Sequence, residues 1–296
     1  MNNFFKFLRL FLCSLLSIIL CGIIIVTHIV FDSSQFLKKD YIINSLKKVN
    51  FIEDDNDNSI NNNKNIEIKK IFDGVYTSAN EIGVSSSDID KFINSDATKE
   101  FMGSYMETIA NYLATGEETT ITKKDLKKLT DYSVDNLLSK AEQKIDDDTK
   151  NKIISIIDEQ ADEIINDLPR PSEVVNDIDP NTLKTINFIF SPKLKIILIS
   201  SIVIITILIA LLLWHPYRFI KWFNISNIIA SLLVIGLSFI ISPIINWALE
   251  EESSLILNIL ISFIRQFENS LLISGIIGFI ISIILSIIYK LLKRKN

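Results

Sequence analysis

Residues 271–289 read LLISGIIGFIISIILSIIY, nineteen in a row without a charge. A helix rises about 1.5 Å per residue, so about 20 residues cross a hydrocarbon core of about 30 Å. No water meets the backbone there, so the segment must be helical to satisfy its own N–H and C=O groups. Three further blocks of the same kind occupy residues 10–31, 196–214 and 225–247. The fold class that follows is all-α, with four transmembrane helices. In the fourth block Ser270, Ser274, Gly278, Ser282 and Ser286 recur every four residues and so share a face. In the third, Ser238, Ser242 and Asn246 share another, with Pro243 able to kink the helix. Small residues let a second helix approach closely, which makes these eight the candidates for helix packing. The competing reading is a polar pathway. No Asp, Glu, Lys or Arg falls mid-block, and ion-coupled transport usually needs one, so active transport is disfavoured.

The charges around the blocks predict orientation. Lys6 and Arg9 precede the first, Arg218 and Lys221 lie between the second and third, and Lys290, Lys293, Arg294 and Lys295 follow the fourth. All eight are positive. Residues 32–195 hold 31 of the 35 acidic residues and 21 of the 30 basic ones, a net of −10, and Glu250, Glu251 and Glu252 follow the third block. The positive-inside rule then puts both termini in the cytoplasm and residues 32–195 outside it. Lys193 and Lys195, at an outer boundary, run slightly against the pattern. The first block is read as an uncleaved anchor. Its apolar run of about 21 residues exceeds the h-region of a signal peptide, and no A-x-A site follows. A lipobox at Cys21 would need a small residue before it, where Ile18, Ile19 and Leu20 stand. Residues 253–267 are apolar on one side, with Asn258, Ser262, Arg265 and Gln266 on the other. At about 13 residues the apolar part suits an interfacial or re-entrant helix.

The division expected is therefore an N-terminus and first membrane helix over 1–31, an extracytoplasmic helical domain over 32–195, and three membrane helices with a basic tail over 196–296. In the middle region, residues 36–49 continue the first helix outward as an amphipathic one. Residues 53–65 (EDDNDNSINNNKN) read as a loop. Ile68, Ile71, Phe72, Val75, Tyr76, Ala79 and Ile82 keep a three-to-four spacing up to Gly83. A short helix follows Ser85–Ser87. Ser95 caps the next, which ends at Gly116. Thr122 and Asp125 resemble a capping box for a helix with a break near Ser133, and a last helix runs from Asp146–Asp148 to Pro169. Each carries one apolar stripe that must be buried.

Specific chemistry is hard to find in these residues. Asp54, Asn56 and Asn58 match the opening of a calcium loop, but Ser59 and Asn65 stand where glycine and a bidentate glutamate belong. Cys13, Ser17, Cys21 and His28 share a face of the first helix, yet zinc needs about four ligands and the other histidine, His215, belongs near the opposite side. No histidine falls in the outer region, and no phosphate loop, dinucleotide fingerprint or nucleophile elbow occurs. The expectation is a non-enzyme without cofactor or metal. No nucleic-acid partner is expected, since the large domain is acidic and the cytoplasmic pieces are short. The partners expected are the bilayer and a protein or a second copy of the chain. About 58 Ile and about 25 Asn are the composition of an AT-rich bacterial genome. With no cysteine and no N-x-S/T sequon in the outer domain, a bacterial cytoplasmic membrane is the expected home.

In layout the chain is similar to a widespread kind of uncharacterised bacterial membrane protein: one N-terminal anchor helix, a helical extracytoplasmic domain, then three membrane helices. The likeness spans the whole chain but rests on no diagnostic motif, and implies no activity and no site. The functional expectation is a non-catalytic membrane protein whose outer domain engages an envelope component or protein partner. The alternatives are a channel or transporter component, or a sensor lacking its own output domain.

Overall fold

The computed structural model describes residues 2–52, 85–136, 151, 154–155, 158–159, 161–176, 178–213, 218–251 and 255–295. Among these residues the protein is all-α, with no strand. The expected loop at 53–65, the helix ending at Gly83, the start of the helix after Asp148, and His215 lie outside the described residues. The helices are α1 (Asn2–Ser33), α2 (Lys39–Lys47), α3 (Ser86–Ile93), α4 (Asp96–Thr115), α5 (Lys123–Asn136), α6 (Ala161–Asp167), α7 (Pro171–Val174), α8 (Pro180–Phe190), α9 (Pro192–Leu213), α10 (Arg218–Glu251) and α11 (Leu255–Lys295). Four stretches are long and apolar enough to cross a membrane: Phe4–Leu37, Pro192–Leu213, Arg218–Ile244 and Ile259–Arg294. The protein is thus a multi-pass membrane protein by the length and composition of its helices.

The chain divides into two units. The membrane unit holds Met1–Gln35, Phe188–Asn246 and Ile264–Asn296; the helical unit holds Phe36–Asn187 and Trp247–Phe263. In the membrane unit, Cys13, Leu20 and Ile24 of α1 pack with Ile205, Ile209 and Leu213 of α9 and Ala230 of α10. Its outward face is apolar: Phe7, Ile18, Ile196, Leu211, Phe239 and Ile273 are all more than half exposed. An apolar surface of this extent belongs in lipid.

The helical unit is built by caps and two small cores. Ser85 and Ser95 cap α3 and α4, accepting from the backbone N–H of Asp88 and Thr98, and Gly116 ends α4 at φ 76°. That left-handed backbone favours glycine. Thr122 and Asp125 bond reciprocally at the start of α5, each accepting the other's N–H at 3.3 Å. Asn94, just past α3, accepts the Phe51 N–H at 2.7 Å and donates to the Ile52 carbonyl at 2.8 Å, fastening the end of the α2 segment. One core gathers Ile42, Leu46, Val49, Phe51, Ile52, Ile89 and Ile93, with Ile259 and Phe263 of α11 against it. The other gathers Ile121, Leu126, Ala161 and Ile165 under Phe101, Tyr105 and Leu168.

Four local expectations change. The first helix does not run on into 36–49: α1 gives way to a 3-10 turn, Ser34–Leu37, and Lys38 is extended before α2. Ser33 and Ser34 donate to the Ile29 and Phe31 carbonyls there, a local alternative to helix continuation. Ser133 itself stands inside α5, which is continuous through Asn136, the last described residue there, and its hydroxyl donates to the Leu129 carbonyl. Residues 255–267 form no separate interfacial helix but the start of the 41-residue α11. Ser262 donates to the Ser45 carbonyl and Phe263 accepts from the Tyr41 hydroxyl, so tertiary contacts hold this stretch helical. Finally, Asp32, assigned to the outer region by sequence, is the penultimate residue of α1 and is buried.

Candidate functional site

The small-residue stripe of α11 is where the membrane unit keeps its polar chemistry. Five residues four apart drift only slowly around a helix, so they stay on one side over four turns. Ser270 and Ser274 donate to the two carboxylate oxygens of Asp32, at 2.8 and 2.6 Å. One turn on, Gly278 has no side chain. A methyl group there would stand 2.5 Å from Ser231 Oγ of α10 and 3.5 Å from His28 Nε2 of α1, so the three helices meet at this point. The next turn brings Ser282, whose Oγ accepts from Asn227 Nδ2 at 2.8 Å, while the same amide reaches the Gly278 carbonyl at 2.9 Å. Ser286 Oγ accepts from Asn224 Nδ2 at 2.8 Å. Gly275, between the serines, is equally tight: a methyl group would stand 2.7 Å from an Ile235 side-chain carbon and 3.2 Å from the Ser231 carbonyl.

The α10 candidates divide differently. Ser238 is buried and donates to the Ile235 carbonyl of its own helix. Ser242 donates to Glu268 of α11, within 3.0 Å of both carboxylate oxygens. Asn246 lies on α10, and its side chain is outside those described. A further polar pair, Ser17 and Ser226, joins α1 to α10 at 2.6 Å between hydroxyl oxygens, and Ser226 also donates to the Ser17 carbonyl. Cys13 and Cys21 are free thiols, and among the described residues no three His, Cys, Asp or Glu side chains are grouped to hold a metal ion.

Sequence reasoning found the α11 stripe but not what lies opposite. Asn224, Asn227 and Ser231 keep an i, i+3, i+7 spacing on α10, a signal of the same kind that passed unread. Asp32 escapes a reading of the sequence because a charge next to an apolar block marks the block's end. Its two serine donors are what let the carboxylate stay on the helix.

Charge chemistry in the helical unit centres on Lys39. It pairs with Asp125 at 2.6 Å. Burial pushes the Asp125 carboxyl up, but hydrogen bonds from Lys39, Thr122 and Ser104 outweigh it and bring the pKa down to about 2. Glu107 goes the other way: burial raises it, and Lys39, shared with Asp125, only partly opposes this. Glu100 is lowered, since Lys128 and Lys47 together outweigh its burial. Lys99 is almost fully buried, which lowers it, and its ammonium lies 5.7 Å over the Phe51 ring. No protein family, curated protein or solved structure matches this chain.

Proposed function

We propose that this is a non-catalytic protein of a bacterial cytoplasmic membrane, with both termini cytoplasmic, whose helical unit is extracytoplasmic and binds an envelope component or protein partner. The observation that supports it is how the polar groups of the membrane unit are used. Asp32 takes both serine hydroxyls, and Asn227 and Asn224 take Ser282 and Ser286. Groups engaged with one another hold helices together; a solute path needs them facing an open lumen. The membrane unit then serves as a holder, and the acidic helical unit is the part left to meet a partner. The basic flanks support the orientation, and the absence of cysteine outside α1 together with the Ile- and Asn-rich composition supports the bacterial setting.

The test is photo-crosslinking in intact membranes from reactive residues placed at Lys127 and Asp162, on the charged face of the helical unit, where both side chains are exposed. A reproducible adduct of defined mass is expected, and recovery of the chain alone as a monomer overturns the reading. A second reading, a channel or transporter component, is favoured by one observation: Asp32 is an acidic group inside the membrane unit. Ion flux through liposomes that is lost in Asp32→Asn would carry that reading instead.

A further inference from the structure

Along the α11 seam two buried polar atoms are left without a partner, Asn224 Oδ1 and Ser231 Oγ, and the second stands beside the glycine gap. Ser231 is completely buried, and its hydroxyl has no hydrogen-bond partner. It faces the gap left by Gly278, and His28 Nε2 faces the same gap from α1. One turn from His28 on the same helix stands Asp32, buried, with a serine hydroxyl on each oxygen. A buried hydroxyl without a partner is rare, and an ionisable group within a membrane bundle marks function more often than packing. Here an orphaned hydroxyl, an imidazole and a carboxylate lie within two turns of one another.

We propose that His28, Asp32 and Ser231 form a proton-binding site inside the membrane unit. The neutral imidazole keeps its hydrogen on Nδ1 and takes a proton from water on Nε2. The new N–H enters the gap beside Gly278, which the unpartnered Ser231 Oγ faces from the other side. The imidazolium is balanced by the Asp32 carboxylate one turn away, so occupancy takes the site from one negative charge to neutral. Of the three groups only the imidazole gains a positive charge on taking a proton, and the carboxylate on the same helix compensates it, which is why the ligand is a proton. A metal ion would find one imidazole and one carboxylate here, and among the described residues no three His, Cys, Asp or Glu side chains are grouped to hold one. The charged groups on the elements packed around the site are few. Lys195 of α9 lies 5.6 Å over the ring of Phe31, and Glu268 of α11 is held by Ser242. On α10, residues 224–242 carry no charge. The site is independent of which partner the helical unit binds.

The experiment is histidine-ring nitrogen NMR on the full chain in liposomes, with His215→Gln leaving His28 as the single histidine. The His28 signals are expected to switch between their neutral and protonated forms as the pH is lowered across the titration range. Asp32→Asn should move the midpoint by about one pH unit or more, and Ser231→Ala by less. If Asp32→Asn does not assemble, Ser274→Ala, which strips one donor from the carboxylate, must still move the midpoint. Signals that stay flat across the range, or a midpoint indifferent to both Asp32→Asn and Ser274→Ala, overturn the proposal. So does a response to sodium in place of choline, at fixed pH, that Asp32→Asn abolishes: the site would then be a metal-cation site on the carboxylate.

Discussion

In the membrane unit the residues facing outward are Phe7, Ile18, Leu211, Phe239 and Ile273, while Asp32, Asn227, Ser226 and Ser231 face in. The helical unit reverses this: Leu46, Ile89 and Ile93 are enclosed, and the pairs Lys123–Asp162 and Lys127–Asp158 sit at the surface. The same residue types carry opposite tasks because the solvent differs. In water, apolar burial drives association and surface ion pairs add little. In lipid, apolar side chains gain nothing by meeting one another, so close approach at glycine and buried hydrogen bonds must hold the helices. Small residues and amides should therefore matter most in one unit, and large aliphatics and caps in the other.

The sharpest break of that contrast is at Gly275. A leucine there meets Ile235 and the α10 backbone, which cannot move aside. Gly275→Leu is expected to abolish the intact membrane unit, read as loss of a monodisperse peak after detergent extraction. In the helical unit the comparable loss needs a large-to-small change in the core. Ile42→Ala should cost about 2–5 kcal/mol, measured by thermal or denaturant unfolding. The Lys39–Asp125 pair comes next. Because the folded Asp125 value lies below the ordinary carboxylate one, its stabilisation is complete above about pH 4 and drains away as pH falls toward 2. Lys39→Met should flatten that acid limb and cost on the order of 1–2 kcal/mol at neutral pH, since the lysine is about one-third exposed. Ser95→Ala removes a cap worth about 1 kcal/mol. Smallest of all, Gly22→Ala and Gly236→Ala meet nothing within 4 Å and should change stability by less than about 1 kcal/mol. A large loss at either would mean that close approach is not what distinguishes Gly275.

Much of this architecture was legible in the residues. Four apolar blocks announce four crossings because their length exceeds what a soluble helix needs, and Ser85, Ser95, Gly116 and Thr122 mark helix ends because each answers a local backbone demand. The serine stripe is equally visible, since its period is that of the helix. What stayed hidden depends on partners far along the chain. Asp32 remains helical through Ser270 and Ser274, more than two hundred residues away. Residues 255–267 continue into the fourth span because Ile259, Ser262 and Phe263 find Ser45, Tyr41 and the Ile42 core. Periodicity names the face of a helix; it does not name what that face will meet.

Both thiols of the chain sit on α1, with Cys13 enclosed and Cys21 half-buried, eight residues apart. Two substitutions therefore yield a background without cysteine, into which single reporters can be introduced one at a time. Charged maleimides that do not cross bilayers, applied before and after permeabilisation, then read the sidedness of Lys6, Lys127 and Lys293 directly. The crowding of Cys13 makes serine the replacement to choose there, because it is smaller than the thiol it succeeds and its hydroxyl can return its hydrogen to the carbonyl of Arg9 one turn back.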